Sequence, residues 1–268
     1  MDIPKIGLGT WNLRGNECEK MVENAIKIGY RHIDTAQMYG NEKEVGNGIK
    51  NSGIDRSKLF ITTKLCSPNT TYDLVISGVK ESLKNLKLDY LDLVLIHEPY
   101  ANSIEMYKAL EDLQAKGLVK HIGVSNFNHR QIDNLLKNCT ILPYVNQIEN
   151  HIFYQREEYV KYLQSKGIKV VAWSPLCADI SKITSNQTIC EIAQKYDKTP
   201  AQVALKILLQ RDIYIIPKSR NPKRLEENLN LNFTINENGM NKLKNLDEGR
   251  SLFGWYVIDN TEKKKKEC

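Results

Sequence analysis

LDLVLIH, residues 91–97, is apolar at every position except Asp92 and the terminal His97. A continuous apolar run of this length suits a strand covered on both faces, as strands in parallel sheets are. KVVAWS (169–174) reads the same way. Working outward, six more short runs share the pattern: Ile6 to Gly9, His32 to Thr35, Leu59 to Lys64, Ile122 to Ser125, Val145 to Glu149 and Tyr214 to Pro217. Helical patterns lie between them. Leu74, Ile76, Val79, Leu83 and Leu86 recur at roughly helical spacing, as do Ile104, Tyr107, Leu110 and Leu113, and then Val160 and Leu163. Gly29, Gly53, Gly117 and Gly167 each fall between a helical pattern and the next strand, where a glycine ends a helix. Eight βα repeats with no Pro/Gly/Ser-rich linker predict an α/β chain folded as a single (β/α)8 barrel of the TIM type. One domain is expected over 1–268, with a C-terminal loop and basic tail at 249–268. A doubly wound open sheet is the competing arrangement.

The 268 residues are enough to bury a large core without staples. Hydrophobic residues at 41% and charged residues at 26% are ordinary for a soluble globular protein. The net charge is +6, and the run Lys263 to Lys266 reads as a solvated tail. Basic residues are too few, and too poorly interleaved with aromatics, to suggest nucleic acid or a membrane surface as a partner. No apolar run approaches the roughly 18 residues of a membrane span, and MDIPKIGLG does not read as a secretory signal. The six cysteines form no CxxC pair and read as free thiols in a reducing compartment, so a cytoplasmic location is expected. No His, Cys, Asp or Glu cluster has metal-ligand spacing, and no GxGxxG motif points to a Rossmann site.

In a βα barrel, chemistry is built where the strands end. Those ends read Thr10 and Trp11, Asp34, Lys64, His97, Ser125 and Asn126, Gln147, Trp173 and Ser174, and Lys218 and Ser219. Four residues make an acid/base set. Asp34 and Lys64, at the ends of adjacent strands, can form a buried ion pair. Tyr39, close after Asp34, would sit beside the lysine ammonium. That charge favours phenolate, so the Tyr39 pKa is expected to fall from about 10. A phenol tuned in this way can act as a general acid, with His97 orienting a carbonyl oxygen. Singly, Asp34 could cap a helix, Tyr39 could pack on the surface and His97 could be structural. A lysine ending an apolar strand is harder to explain away, because lysine is rarely buried unpaired.

GYRHIDTAQMYGNE (29–42), LDLVLIHEP (91–99) and IPKSRNPKRLEEN (216–228) resemble the three signatures of the aldo-keto reductases. GVSNF (123–127), VNQIE (145–149) and AWSPL (172–176) match further blocks of that family in the same order, and the resemblance runs from about Ile3 to about Asn232. It implies a barrel that binds NADP(H) across the strand ends and reduces small aldehydes or ketones. The family's catalytic set falls on Tyr39, Asp34, Lys64 and His97. The cofactor residues it implies are Thr10 and Trp11, then Ser125, Asn126 and Gln147 on the carboxamide, and Trp173 against the nicotinamide. Ser174 and Leu176 would line the pyrophosphate, Lys218, Ser219 and Arg224 the 2′-phosphate, and Glu227 and Asn228 the adenine. Trp11, Tyr39, His97 and Glu98 would face the substrate, and the family leans towards monomers.

Two features depart from that pattern. Glu98 stands where many members have tryptophan, which favours polar or cationic substrates unless the side chain points away. The segments after the seventh strand and at the C-terminus are short. There Phe253, Trp255 and Tyr256 either reach over the pocket or pack on the rim. A nucleotide-sensing regulatory protein is the alternative function, and a Schiff-base enzyme using Lys64 is a third.

Overall fold

The computed structural model describes residues 1–253. Trp255, Tyr256, the lysine run and Cys268 lie outside the described residues. The eight strands are β1 (Leu8–Gly9), β2 (His32–Asp34), β3 (Phe60–Leu65), β4 (Leu91–Ile96), β5 (Val119–Ser125), β6 (Val145–Glu149), β7 (Lys169–Trp173) and β8 (Ile213–Ile215). They are hydrogen-bonded in chain order, and every pairing is parallel. The sheet also closes on itself. Ile6 bridges Ile215 in parallel, the Gly7 N–H donates to the Ile215 carbonyl at 2.8 Å, and the Gly9 N–H donates to the Pro217 carbonyl at 3.2 Å. This closure decides for the barrel over the open sheet.

All eight expected strands are present, with shifted ends. β5 starts three residues earlier than the apolar pattern indicated, because Lys120 and His121 sit at the solvated end of the barrel and interrupt the run. β8 stops before Pro217, which has no N–H to give to a ladder.

The helices are α1 (Gly15–Ile28), α2 (Glu42–Asn51), α3 (Tyr72–Leu86), α4 (Ser103–Ala115), α5 (His129–Asn138), α6 (Glu157–Ser165), α7 (Ile180–Thr184), α8 (Gln187–Lys195), α9 (Pro200–Gln210), α10 (Pro222–Leu229) and α11 (Glu237–Lys244). Capping boxes start α5 (Asn128 with Gln131) and α9 (Thr199 with Gln202, Pro200 at the first position). Gly117 and Gly167, both at φ 75°, end their helical segments in the left-handed region as expected.

The strands sort their side chains by parity. Phe60, Leu93, Leu95, Val145, Val171 and Tyr214 cluster together inside the barrel. Ile33, Ile61, Val94, Ile96, Val124, Ile148, Val170 and Ile215 join the apolar faces of the helices in a second cluster. Side chains alternate along a strand, so counting by twos from the inner set reaches the barrel mouth. Phe60 leads to Lys64, Leu95 to His97, Val145 to Gln147 and Val171 to Trp173. His32, whose ring meets Phe60 at 5.4 Å, leads to Asp34. One register therefore buries the core and aims the polar strand ends at a common point.

Helix spacing around the barrel leaves no room between α2 and α3. A Cβ on Gly46 would stand 2.4 Å from the Leu86 carbonyl oxygen. Gly46→Ala should destabilise the fold by about 1–3 kcal/mol, as overpacking does, read as a lower urea midpoint with an unchanged slope. An unshifted midpoint would show that these helices can separate freely.

Candidate active site

A cleft of about 780 Å³ opens over the mouth of the barrel. Its lining includes Thr10, Trp11, Asp34, Tyr39, His97, Glu98, Ser125, Asn126, Gln147, Trp173, Ser174, Leu176, Lys218, Ser219, Arg224, Glu227 and Asn228. Among the described residues given a catalytic, cofactor or substrate role from the sequence, Lys64 alone does not line it. Lys64 lies behind Tyr39, with its side chain 1% exposed.

The Lys64 ammonium uses its three donors on three oxygens: Asp34 Oδ1 at 2.5 Å, the Thr35 carbonyl at 2.9 Å and Tyr39 Oη at 3.2 Å. Burial pulls its pKa down, but Asp34 and Tyr39 more than offset this and leave it above its ordinary value. A lysine held charged and away from the cleft is poorly placed as a Schiff-base nucleophile. Asp34 Oδ2 accepts from Gln147 Nε2 at 2.7 Å, so the carboxylate is engaged on both oxygens.

The expected fall in the Tyr39 pKa is corrected by the structure. Burial is the largest influence and raises it, Lys64 lowers it, Asp34 raises it again, and the phenol ends above its ordinary value. Trp11 meets the Tyr39 ring edge-on at 4.9 Å, and His97 does so at 5.8 Å. Tyr39 therefore keeps its proton throughout the neutral range, while Lys64 stands ready to stabilise the phenolate left when that proton departs.

His97 is held neutral. Burial, reinforced by the Lys64 charge, lowers its pKa to about 3. Its carbonyl accepts from Asn126 Nδ2 at 3.2 Å. Asn126 Oδ1 in turn accepts from the Trp173 indole N–H at 2.8 Å, and Ser125 Oγ donates to the Gln147 carbonyl at 2.9 Å. The ends of β4, β5, β6 and β7 are thus tied into one polar network.

The cleft also carries a group of cations. Lys218, Arg220 and Arg224 line it, together with Ser219 and Asn221, which caps α10. Burial and the neighbouring Arg220 lower the Lys218 pKa, so these two cations crowd one another. Among the described residues Arg220 is the ion-paired member of the cluster, with Nε 3.1 Å from Glu17 Oε2. A phosphate would relieve that crowding, with an arginine fork and a lysine point charge to receive it.

Sequence reasoning did not anticipate the Gln147–Asp34 bond, the Trp173–Asn126 bond, or Met38, Ile180 and Arg220 in the lining. Each depends on loops that meet only in the closed barrel. Among the described residues no group of three or more His, Cys, Asp or Glu is placed to hold a metal ion.

The model of the Aldo/keto reductase family matches residues 5–248. This chain belongs to the aldo/keto reductase family. It is 40% identical over 251 residues to a glyoxal reductase of Bacillus subtilis, covering 92% of this chain and 90% of the relative. It is 39% identical over 256 residues to a 9,11-endoperoxide prostaglandin H2 reductase of Trypanosoma cruzi, covering 94% and 90%. Among solved structures, an aldo-keto reductase from a deep-sea metagenome library superposes with a TM-score of 0.94 at 40% identity, covering 97% of each chain. This aldo/keto reductase is accordingly an oxidoreductase of carbonyl compounds.

Three histidines whose pKa values are lowered in the fold give a pH signature. His97 (about 3), His32 (about 4) and His121 (also lowered) all lie below the unfolded value of 6.5. A depressed folded pKa contributes stability that is present above pH 6.5 and is lost as pH falls towards the folded value. Each such histidine can add a slope of up to about 1.4 kcal/mol per pH unit. Unfolding free energy should fall between pH 6.5 and 5, and His97→Gln should flatten that slope. An equal slope in wild type and variant would mean that His97 titrates normally.

Proposed function

We propose that this aldo/keto reductase reduces small aldehydes and ketones to alcohols with NADPH, Tyr39 giving the proton to the carbonyl oxygen. The observation that carries the reading is the contact of Tyr39 Oη with the buried Lys64–Asp34 pair at the floor of the cleft. The residues present fit a phosphorylated dinucleotide: crowded cations at one end, amide and hydroxyl groups at the other, and an indole plane between them. NADPH, when bound, supplies the hydride.

The chain's own groups divide the remaining work. Lys64 lowers the cost of phenolate on Tyr39, and Asp34 keeps Lys64 charged. Neutral His97 orients the carbonyl oxygen without competing as an acid. Ser125, Asn126 and Gln147 hold the carboxamide, and Thr10 and Trp11 border it. Trp173 provides the stacking face. Ser174 and Leu176 follow the pyrophosphate, Lys218, Ser219 and Arg224 grip the 2′-phosphate, and Glu227 and Asn228 meet the adenine. Trp11 and Glu98 wall the substrate end, where the Glu98 carboxylate favours polar carbonyls such as 2-oxoaldehydes. The glyoxal reductase likeness supports the same class. We read the chain as one domain acting as a cytoplasmic monomer. The five described cysteines are free, and no helix among the described residues is long and apolar enough to cross a membrane.

Titration with NADPH should quench tryptophan fluorescence, since Trp11 and Trp173 both line the cleft. Arg224→Ala should weaken NADPH binding about 10- to 100-fold, the worth of a lost charged hydrogen bond, and leave NADH binding within about three-fold. Equal losses for both nucleotides would refute the phosphate assignment. Absence of NADPH-dependent turnover of methylglyoxal, glyoxal and an aromatic aldehyde would refute the activity.

A further inference from the structure

Glu149 ends β6 directly opposite Trp173 on β7. It is 2% exposed and makes no contact with Lys64, so the chemistry above does not use it. Its carboxylate is nevertheless fully engaged. His151 Nδ1 accepts the Phe153 N–H at 3.3 Å, which places the ring proton on Nε2, 3.2 Å from Glu149 Oε1. The other two donors come from about a hundred residues away. The Leu252 N–H donates to Oε1 at 3.0 Å, and the Ser251 hydroxyl donates to Oε2. Ser251 Oγ then accepts the Phe253 N–H at 3.2 Å, and the Phe253 ring meets Trp173 edge-on at 5.1 Å as part of the cleft wall.

The geometry points to Glu149 as a latch: a positioning residue that fastens the C-terminal segment through Ser251 and so sets Phe253 as a wall of the substrate end of the cleft. A carboxylate buried to this degree is costly to desolvate unless all its bonds are kept. Two of the three are made only while the segment is docked, so the carboxylate and the segment hold each other in place. Trp173 is fixed from the other side by Asn126, so the wall rests on a rigid plane. Phe253 and Tyr39 line the same cleft, so loss of the latch should be felt more by a bulky carbonyl substrate than by a three-carbon one. Glu149 thus acts through Phe253 on substrate size, a role that rests on the proposed reductase reading.

The test has one arm that does not depend on that reading. Arg250 is exposed beside the latched residues, so trypsin cleavage after it reports release of the segment. Ser251→Ala, which removes one hydroxyl, should speed that cleavage at least five-fold. Glu149→Ala should speed it further, and Glu149→Gln, which keeps one acceptor oxygen, should fall between wild type and alanine. In turnover with NADPH, Ser251→Ala should raise KM for 4-nitrobenzaldehyde about five-fold relative to KM for methylglyoxal. Wild-type cleavage rates in Ser251→Ala overturn the latch. Faster cleavage with an unchanged KM ratio overturns the control of substrate size. If wild type reduces neither carbonyl, the reductase reading fails, and the proteolysis arm alone decides the latch.

Discussion

A lysine ammonium with almost no exposure to water cannot stand alone. Removing the partner of such a buried pair typically costs about 3–5 kcal/mol, because the remaining charge is left uncompensated. The ion pair of Lys64 with Asp34 is therefore the constraint around which the mouth of this barrel is arranged. It ties β3 to β2, and Asp34 reaches across to Gln147 on β6. The third donor of Lys64 is left for Tyr39. The pair contributes little net stability for its desolvation cost. What it supplies is a fixed positive charge behind a phenol that is otherwise driven towards neutrality by Trp11, His97 and burial.

Two opposing influences on Tyr39 then define the site. Burial holds the proton on the oxygen, and Lys64 stabilises the anion formed when the proton leaves. A group that is protonated at rest and whose conjugate base is supported suits proton delivery to a developing alkoxide. Burial keeps both His97 and Tyr39 neutral, while the Lys64 charge reinforces this at His97 and opposes it at Tyr39. Tyr39 lines the same cleft as the cations Lys218, Arg220 and Arg224, which is the arrangement that the proposed use of a phosphorylated cofactor calls for.

Much of this was legible in the sequence. LDLVLIH and KVVAW announced strands covered on both faces, and eight strand runs with helices between them pointed to a parallel barrel, with the closing Ile6–Ile215 bridge deciding against an open sheet. Polar residues at the ends of apolar strands marked the mouth, and Lys64 was conspicuous because an apolar strand has no other reason to end in lysine. Other features depend on distances that sequence does not carry. The direction of the Tyr39 pKa turns on how deeply the phenol is buried, and adjacency to Lys64 at the strand ends, weighed without that burial, gave the wrong sign. The Gln147–Asp34 bond joins residues 113 apart, and the Ser251–Glu149 bond joins residues 102 apart. β5 was read short because the polar residues at its start interrupt an apolar pattern without interrupting a ladder.

The central claim is that the Tyr39 hydroxyl supplies the proton and does little else. Replacing Tyr39 with phenylalanine removes one oxygen and keeps the ring that packs on Trp11 and His97. The most direct measurement compares kcat for carbonyl reduction and the NADPH dissociation constant in wild type and Tyr39→Phe. A loss of at least about 100-fold in kcat, the usual worth of a general acid, with NADPH affinity within about three-fold is the predicted result. Retention of wild-type turnover would contradict the account and would place the acid elsewhere in the cleft.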